Sequence, residues 1–192
     1  MNSTSMLNTL LKPLYHGTIV PFGRIDVSRG KGRRDFGRRG FYMAFSASQA
    51  IGMMHKKYRE AASRRRDART DDLKEILYRI RLKPDAIDSL KVKVFAAADL
   101  EWLDFILMCR ASVGVPHDYD LVIGPTADDD TMMALKFYHD GAYGMPGSES
   151  AKRLLLQVLE TENLGIQCQI GKQPVADRIV DSIEPIDWRE FR

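Results

Sequence analysis

The sequence predicts an α+β domain, and three observations carry that prediction. Short runs of alternating or continuous apolar residues have strand length and strand period: EILYRIRLK (75–83), KVKVF (91–95), YDLVIG (119–124) and IQCQI (166–170). Between them lie segments whose apolar residues recur every three or four positions, which is the spacing of one helix face. The connections vary too much in length for a regular wound βαβ sheet. The expected content is roughly six or seven strands and four helices. At 192 residues and 21.8 kDa the chain fits one domain, residues 1–192. A domain of that size buries roughly 70% of its unfolded surface and needs no disulfide or metal to fold.

Residues 1–12 read as a poorly ordered lead-in, and Pro13–Thr18 as a short strand. Residues 19–40 contain five glycines and many charges, so they form a long loop with room for one helical turn. Loops of that length inside a compact domain are usually functional. GFYMAF (40–45) is a strand of aromatic and apolar residues. Ser46 or Ser48 caps the helix that follows, and Ala47, Ile51, Met54, Tyr58 and Ala61 form its apolar stripe. The charged stretch 63–72 is a helix end or an exposed loop. Pro84 closes the strand at 75–83.

DLEWLDFILMCR (99–110) is a helix with Leu100, Leu103, Ile106 and Leu107 as its stripe; Trp102 is a candidate for a partner interface. Asp128 to Asp130 cap a helix that stops near Gly141. Ala151, Leu154, Leu155, Val158 and Leu159 make a further amphipathic helix, and DRIVDSI (177–183) a last strand. The pairs Met53-Met54 and Met132-Met133 read as ordinary packing residues.

Composition removes several classes of function. No apolar run approaches the length of about 18 residues that a membrane span needs. The opening MNSTSMLNTLLKP has neither the basic region nor the long apolar run of a secretory signal, so a cytoplasmic location and no membrane partner are expected. Cys109 and Cys168 have no metal-ligand spacing and suit a reduced, buried pair. His16, His55, His117 and His139 are equally scattered, so no metal site is expected. The net charge of +3 is unevenly placed. Arg24, Arg29, Lys31, Arg33, Arg34, Arg38 and Arg39 crowd the first long loop. Lys56, Lys57, Arg59, Arg64, Arg65, Arg66 and Arg69 follow. The first third thus offers a phosphate-friendly surface; the second cluster also reads as a solvated helix face.

Three pieces carry chemistry in combination: strand-borne His16-Gly17-Thr18, the loop and strand DFGRRGFYMAFSASQA (35–50), and IQCQI with Gln167 and Gln169 on one side. Their order resembles the ADP-ribosyltransferase superfamily, in the branch that uses His, Tyr and a third polar residue. The runs YHGT, IDVSRGKGRRDFGRRGFYMAFSASQA, EWLDFILMCR and YDLVIGPTADDDTMMALKFYHDG resemble more closely one bacterial family of unknown-function domains in that superfamily. The likeness covers roughly residues 13–180. It implies a split, mostly antiparallel sheet with flanking helices, NAD as co-substrate, and a small antitoxin-like protein as partner of a toxin.

The resemblance also assigns roles. His16 would bond a ribose hydroxyl of NAD, and Gly17 would pair its backbone N–H and C=O with the nicotinamide carboxamide, an approach a side chain would block. Tyr42 would stack on the nicotinamide ring; Phe41 points to the other face of the strand. Arg33 or Arg34 would fork the pyrophosphate. Asp35 and Phe36 would shape the loop around the ligand, and Thr18 and Ser46 would lend hydroxyls near the ribose or cap turns. Relatives often place Glu where this chain has Gln167, which accepts a hydroxyl bond but supplies no charge; Glu160 and Glu162 lie just before it.

The reaction so implied is transfer of single ADP-ribose units from NAD to a macromolecular target, protein or nucleic acid, with His16, Tyr42 and Gln167 as catalytic residues. The alternatives are an NAD glycohydrolase, in which water is the acceptor, and an NAD-binding pseudoenzyme that acts through a protein partner.

Overall fold

The computed structural model describes residues 3–30, 35–37, 39–64, 73–111, 117–127, 129–159 and 164–191. Among these residues seven strands form one sheet: β1 (Leu14–Thr18), β2 (Phe41–Ala44), β3 (Ile76–Leu82), β4 (Val92–Val94), β5 (Leu121–Pro125), β6 (Ile166–Ile170) and β7 (Val180–Ile186). Among the described residues six α-helices flank it: α1 (Ser3–Thr9), α2 (Ala47–Arg64), α3 (Leu100–Ala111), α4 (Asp129–His139), α5 (Glu149–Val158) and α6 (Gln173–Ile179). The strand order is β4-β5-β6-β2-β1-β3-β7, and only β4 with β5 is parallel. The fold is the α+β class that the sequence predicts.

Strand alternation divides the core between two faces. On one face Leu14, Met43, Ile80, Leu121, Ile123, Cys168 and Ile170 pack with Val175, Ala176 and Ile179 of α6 and with Met6 and Leu10. On the other face Val122 packs with Trp102, Leu103 and Ile106 of α3, Leu135 and Tyr138 of α4, and Leu155 of α5. On that same face Ala44 and Leu77 pack with Ala47, Ala50 and Met54 of α2 and with Trp188. Both cysteines are buried free thiols, and burial pushes each up to about 12.

The ladder is uneven in the middle. β1 pairs with β3 through all five of its residues, and β2 pairs with β6 through all four. Between β1 and β2 a single pair, Tyr15 with Ala44, is in register. The sheet therefore opens beyond Tyr15, beside His16, Gly17 and Thr18.

The structure departs from the sequence reading in five places. The lead-in at 1–12 contains α1, because Met6 and Leu10 find an apolar face to cover and are 2% and 0% exposed. DRIVDSI is split: Pro174 in the first turn of α6 suits a helix start, and Val175, Ala176 and Ile179 share its buried side, so β7 begins only at Val180. Trp102 is fully buried, with its indole N–H donating to Pro125 O at 3.1 Å, so it is no partner surface. The stripe of α3 is rotated to Trp102, Leu103, Phe105, Ile106 and Cys109. Finally, of the methionine pairs only Met54 packs; Met53, Met132 and Met133 are exposed.

Candidate functional site

His16 lies on the face of α1 and α6, where its ring stacks on Phe41 at 4.4 Å and meets the edge of Phe22 at 5.7 Å. Its Nδ1 sits 2.7 Å from Tyr42 O, across the sheet opening. A carbonyl oxygen only accepts, so Nδ1 carries the proton and Nε2 is the ring's acceptor. Burial lowers the imidazole pKa to about 3; the Lys57 ammonium adds to the shift and the bond to Tyr42 opposes it. His16 is therefore neutral at physiological pH.

Gly17 has a packing reason to be glycine. A Cβ there would lie 1.9 Å from Ala50 O and 2.8 Å from Met54 Cβ, inside α2. The backbone acceptor that the resemblance gives to a carboxamide is held internally: Lys57 Nζ donates to Gly17 O at 2.7 Å. Thr18 is buried and its hydroxyl accepts from Val20 N at 3.1 Å, which makes it a turn cap. Ser46 Oγ lies 2.6 Å from Ser48 Oγ at the start of α2.

The register places Tyr42 opposite Gln169 and Ala44 opposite Gln167, so Tyr42 and both glutamines share the face away from His16. The Tyr42 hydroxyl accepts from Phe36 N at 3.1 Å. Phe36 is wholly buried among Tyr42, Phe95 and Phe105 and is a core residue of this face. His117 Nε2–H donates to Phe36 O at 2.7 Å, while its Nδ1 accepts from Tyr119 N at 3.2 Å.

A buried polar cluster ties Gln167 to the long loop. Gln167 Nε2 donates to Asp35 Oδ2 at 2.9 Å, and Ala127 N donates to the same oxygen at 2.9 Å. The Arg110 guanidinium of α3 pairs with Asp35 Oδ1. Three elements thus converge on one carboxylate. Gln169 Nε2 donates to Arg39 O at 2.7 Å, and its buried Oε1 has no hydrogen-bond partner among the described residues. Gly40 makes room for that side chain, since a Cβ at its φ of +142° would lie 2.4 Å from Gln169 Nε2. A surface concavity of about 490 Å³ opens beside His117, lined by Lys91, Phe105, Met108, His117, Asp118 and Tyr119.

The structure thus brings His16 to the Tyr42 backbone, and Tyr42 and Gln167 to one face; it does not bring the His16 ring to that face. Sequence reading missed Arg110, Lys57 and His117, and gave Asp35 only a loop-shaping role. Arg110 closes an ordinary amphipathic helix, and its pairing is non-local, so no sequence signal marks it. Arg33, Arg34, Asp128, Glu160 and Glu162 lie outside the described residues. Among the described residues no three His, Cys, Asp or Glu side chains gather to hold a metal ion, and no helix is long and apolar enough to cross a membrane.

Residues 13–177 match the model of a family described as protein of unknown function (DUF3990), and the chain belongs to that family. No curated protein and no solved structure matches the chain.

Proposed function

We propose that this chain is a mono-ADP-ribosyltransferase that takes NAD as co-substrate and modifies a macromolecular target. The observation that carries the reading is the sheet opening between β1 and β2, bordered by His16-Gly17-Thr18 on one strand and Phe41–Met43 on the other. Gln167 stands on β6, next to β2 in the sheet. The order of these residues, and a split, mostly antiparallel sheet, are what the superfamily resemblance implies.

The chemistry asked of the site is modest. The bond from ribose to nicotinamide breaks, its electron pair leaves with nicotinamide, and a nucleophile of the target adds to the resulting oxocarbenium carbon. Neutral His16 suits a ribose hydroxyl, which donates to Nε2 while Nδ1 stays on Tyr42 O. Tyr42 offers a flat ring for stacking. Gln167 accepts a second hydroxyl. A carboxamide at Gly17 O would take the place of Lys57 Nζ. A toxin role, restrained by a small partner protein, rests on the family likeness alone.

One observation favours a second reading, that of an NAD-binding pseudoenzyme. The position where relatives often carry a carboxylate is an amide here, and one end of it is engaged by Asp35. Release of nicotinamide from NAD carrying a ribose label, in clarified bacterial lysate, separates the readings. Label on a macromolecule supports transfer, and loss of that label in His16→Ala and Tyr42→Ala, each still folded at the assay temperature, supports the site. Label only as free ADP-ribose supports hydrolysis. NAD binding without release supports the pseudoenzyme.

A further inference from the structure

We infer that Asp35 is a positioning residue that fixes which end of the Gln167 amide faces a ligand; the ligand half of this inference rests on the reading of Gln167 above. A carboxamide fits its site in two orientations, with oxygen and nitrogen exchanged. A carboxylate only accepts, so the end of Gln167 that faces Asp35 Oδ2 at 2.9 Å is the N–H₂ end. Oε1 is thereby turned away from Asp35 and held as an acceptor. Asp35 cannot swing to release it, because Ala127 N holds Oδ2 and Arg110 holds Oδ1. Both side chains are buried, at 7% and 9% exposure, so water does not compete for the amide.

The same geometry accounts for glutamine at position 167. A glutamate there would set a second carboxylate against Asp35. With Asp35→Asn and Gln167→Glu together this bond runs the other way, but the amide N–H₂ then stands where Oδ2 accepts from Ala127 N, and Arg110 meets a neutral carbonyl at Oδ1. The double substitution thus restores this one bond but not the bond from Ala127 N.

The test compares the wild type, Asp35→Asn, Gln167→Glu and the double variant. Each single substitution lowers the urea midpoint, and the double variant is more stable than the two losses added but short of the wild type, because Ala127 N loses its acceptor. The ¹⁵N-resolved Gln167 side-chain amide reads orientation directly, without any ligand. The wild type gives one sharp, exchange-protected pair of N–H resonances, and Asp35→Asn broadens or doubles it. In nicotinamide release, Asp35→Asn lowers kcat about 10- to 100-fold with KM little changed, as loss of positioning does. A side-chain amide signal unchanged in Asp35→Asn, or a double variant no more stable than the two losses added, overturns the inference. Failure of the enzyme reading is a separate result: no nicotinamide release from the wild type, with the amide signal and the stability cycle still behaving as stated.

Discussion

Gly17→Ala separates two reasons for one glycine. The added Cβ would stand 1.9 Å from Ala50 O, where real Cβ atoms keep at least 3.0 Å, so β1 and α2 must part by about 1.1 Å or more. The obstacle is a main-chain carbonyl inside a helix, which cannot rotate aside as a side-chain tip does. β1 is equally constrained, since all five of its residues pair with β3. The expected cost lies at the upper end of overpacking penalties, about 3 kcal/mol. For a chain of this size that lowers Tm by about 6–12 °C. Differential scanning calorimetry reads it. A variant that melts within about 2 °C of the wild type would refute the packing argument. If that same variant also lost NAD binding, the glycine would be explained by the ligand alone.

Three further outcomes follow from the same contacts. Gln167→Glu is destabilised by about 3–4 kcal/mol at pH 7, the work of protonating a carboxyl of ordinary pKa near 4.3 so that it can donate to Asp35. The variant's folded state binds the extra proton, so its deficit shrinks to about 1 kcal/mol at pH 5; equal deficits in urea at both pH values would sink the argument. His16 titrates at about 3 when folded, below its ordinary value of 6.5, so its stabilising share is whole above pH 6.5 and is lost as pH falls through the folded value. His16→Phe keeps a ring on Phe41 but has no such titration, so its deficit in urea narrows between pH 7 and pH 4; a constant gap would contradict the buried neutral ring. Trp102→Phe strands Pro125 O and opens a void, costing about 2–3 kcal/mol in equilibrium unfolding; a loss under about 0.5 kcal/mol would mean the indole bond carries little.

What the sequence made legible was local. β3 and β6 announce themselves by alternation, and α2 and α5 by an apolar stripe, because each pattern depends only on residues a few positions apart. The shared face of Gln167 and Gln169 follows from the same period of two. What failed depended on distant partners. Met6 and Leu10 look like a stray apolar pair until the sheet supplies a surface for them. Trp102 looks like an interface residue until Pro125 O is placed beside its indole. The candidate site shows the same division. His16, Gly17, Tyr42 and Gln167 were nameable from motif order, whereas Arg110 and Lys57 act through contacts 75 and 40 residues away in the chain. Gly17 was read as room for a ligand, yet the side chain it excludes would strike Ala50.

The polar groups on the Tyr42 face say more than their stabilities do. A buried Asp–Arg pair seldom stabilises a fold better than apolar residues of the same volume, because two charges lose their water. Here the Asp35–Arg110 pair stands beside Phe36 and Cys109, in a region where an apolar core is already at hand. Among the described residues four buried polar atoms on this face lack a hydrogen-bond partner, Gln169 Oε1, Arg110 Nε, Arg79 Nε and Ser182 Oγ, each a cost that packing alone gives no reason to keep. Two of them lie on residues that hold the loop, Arg110 at Asp35 and Gln169 at Arg39, and the other two on β3 and β7. On the opposite side of the sheet opening, His16 and Lys57 supply the donors that Tyr42 O and Gly17 O would otherwise lack. A fold selected for stability alone would complete the ladder between β1 and β2 and fill the Tyr42 face with hydrocarbon. At the β1–β2–β6 junction this chain does neither, and that is the reason to place the proposed site there.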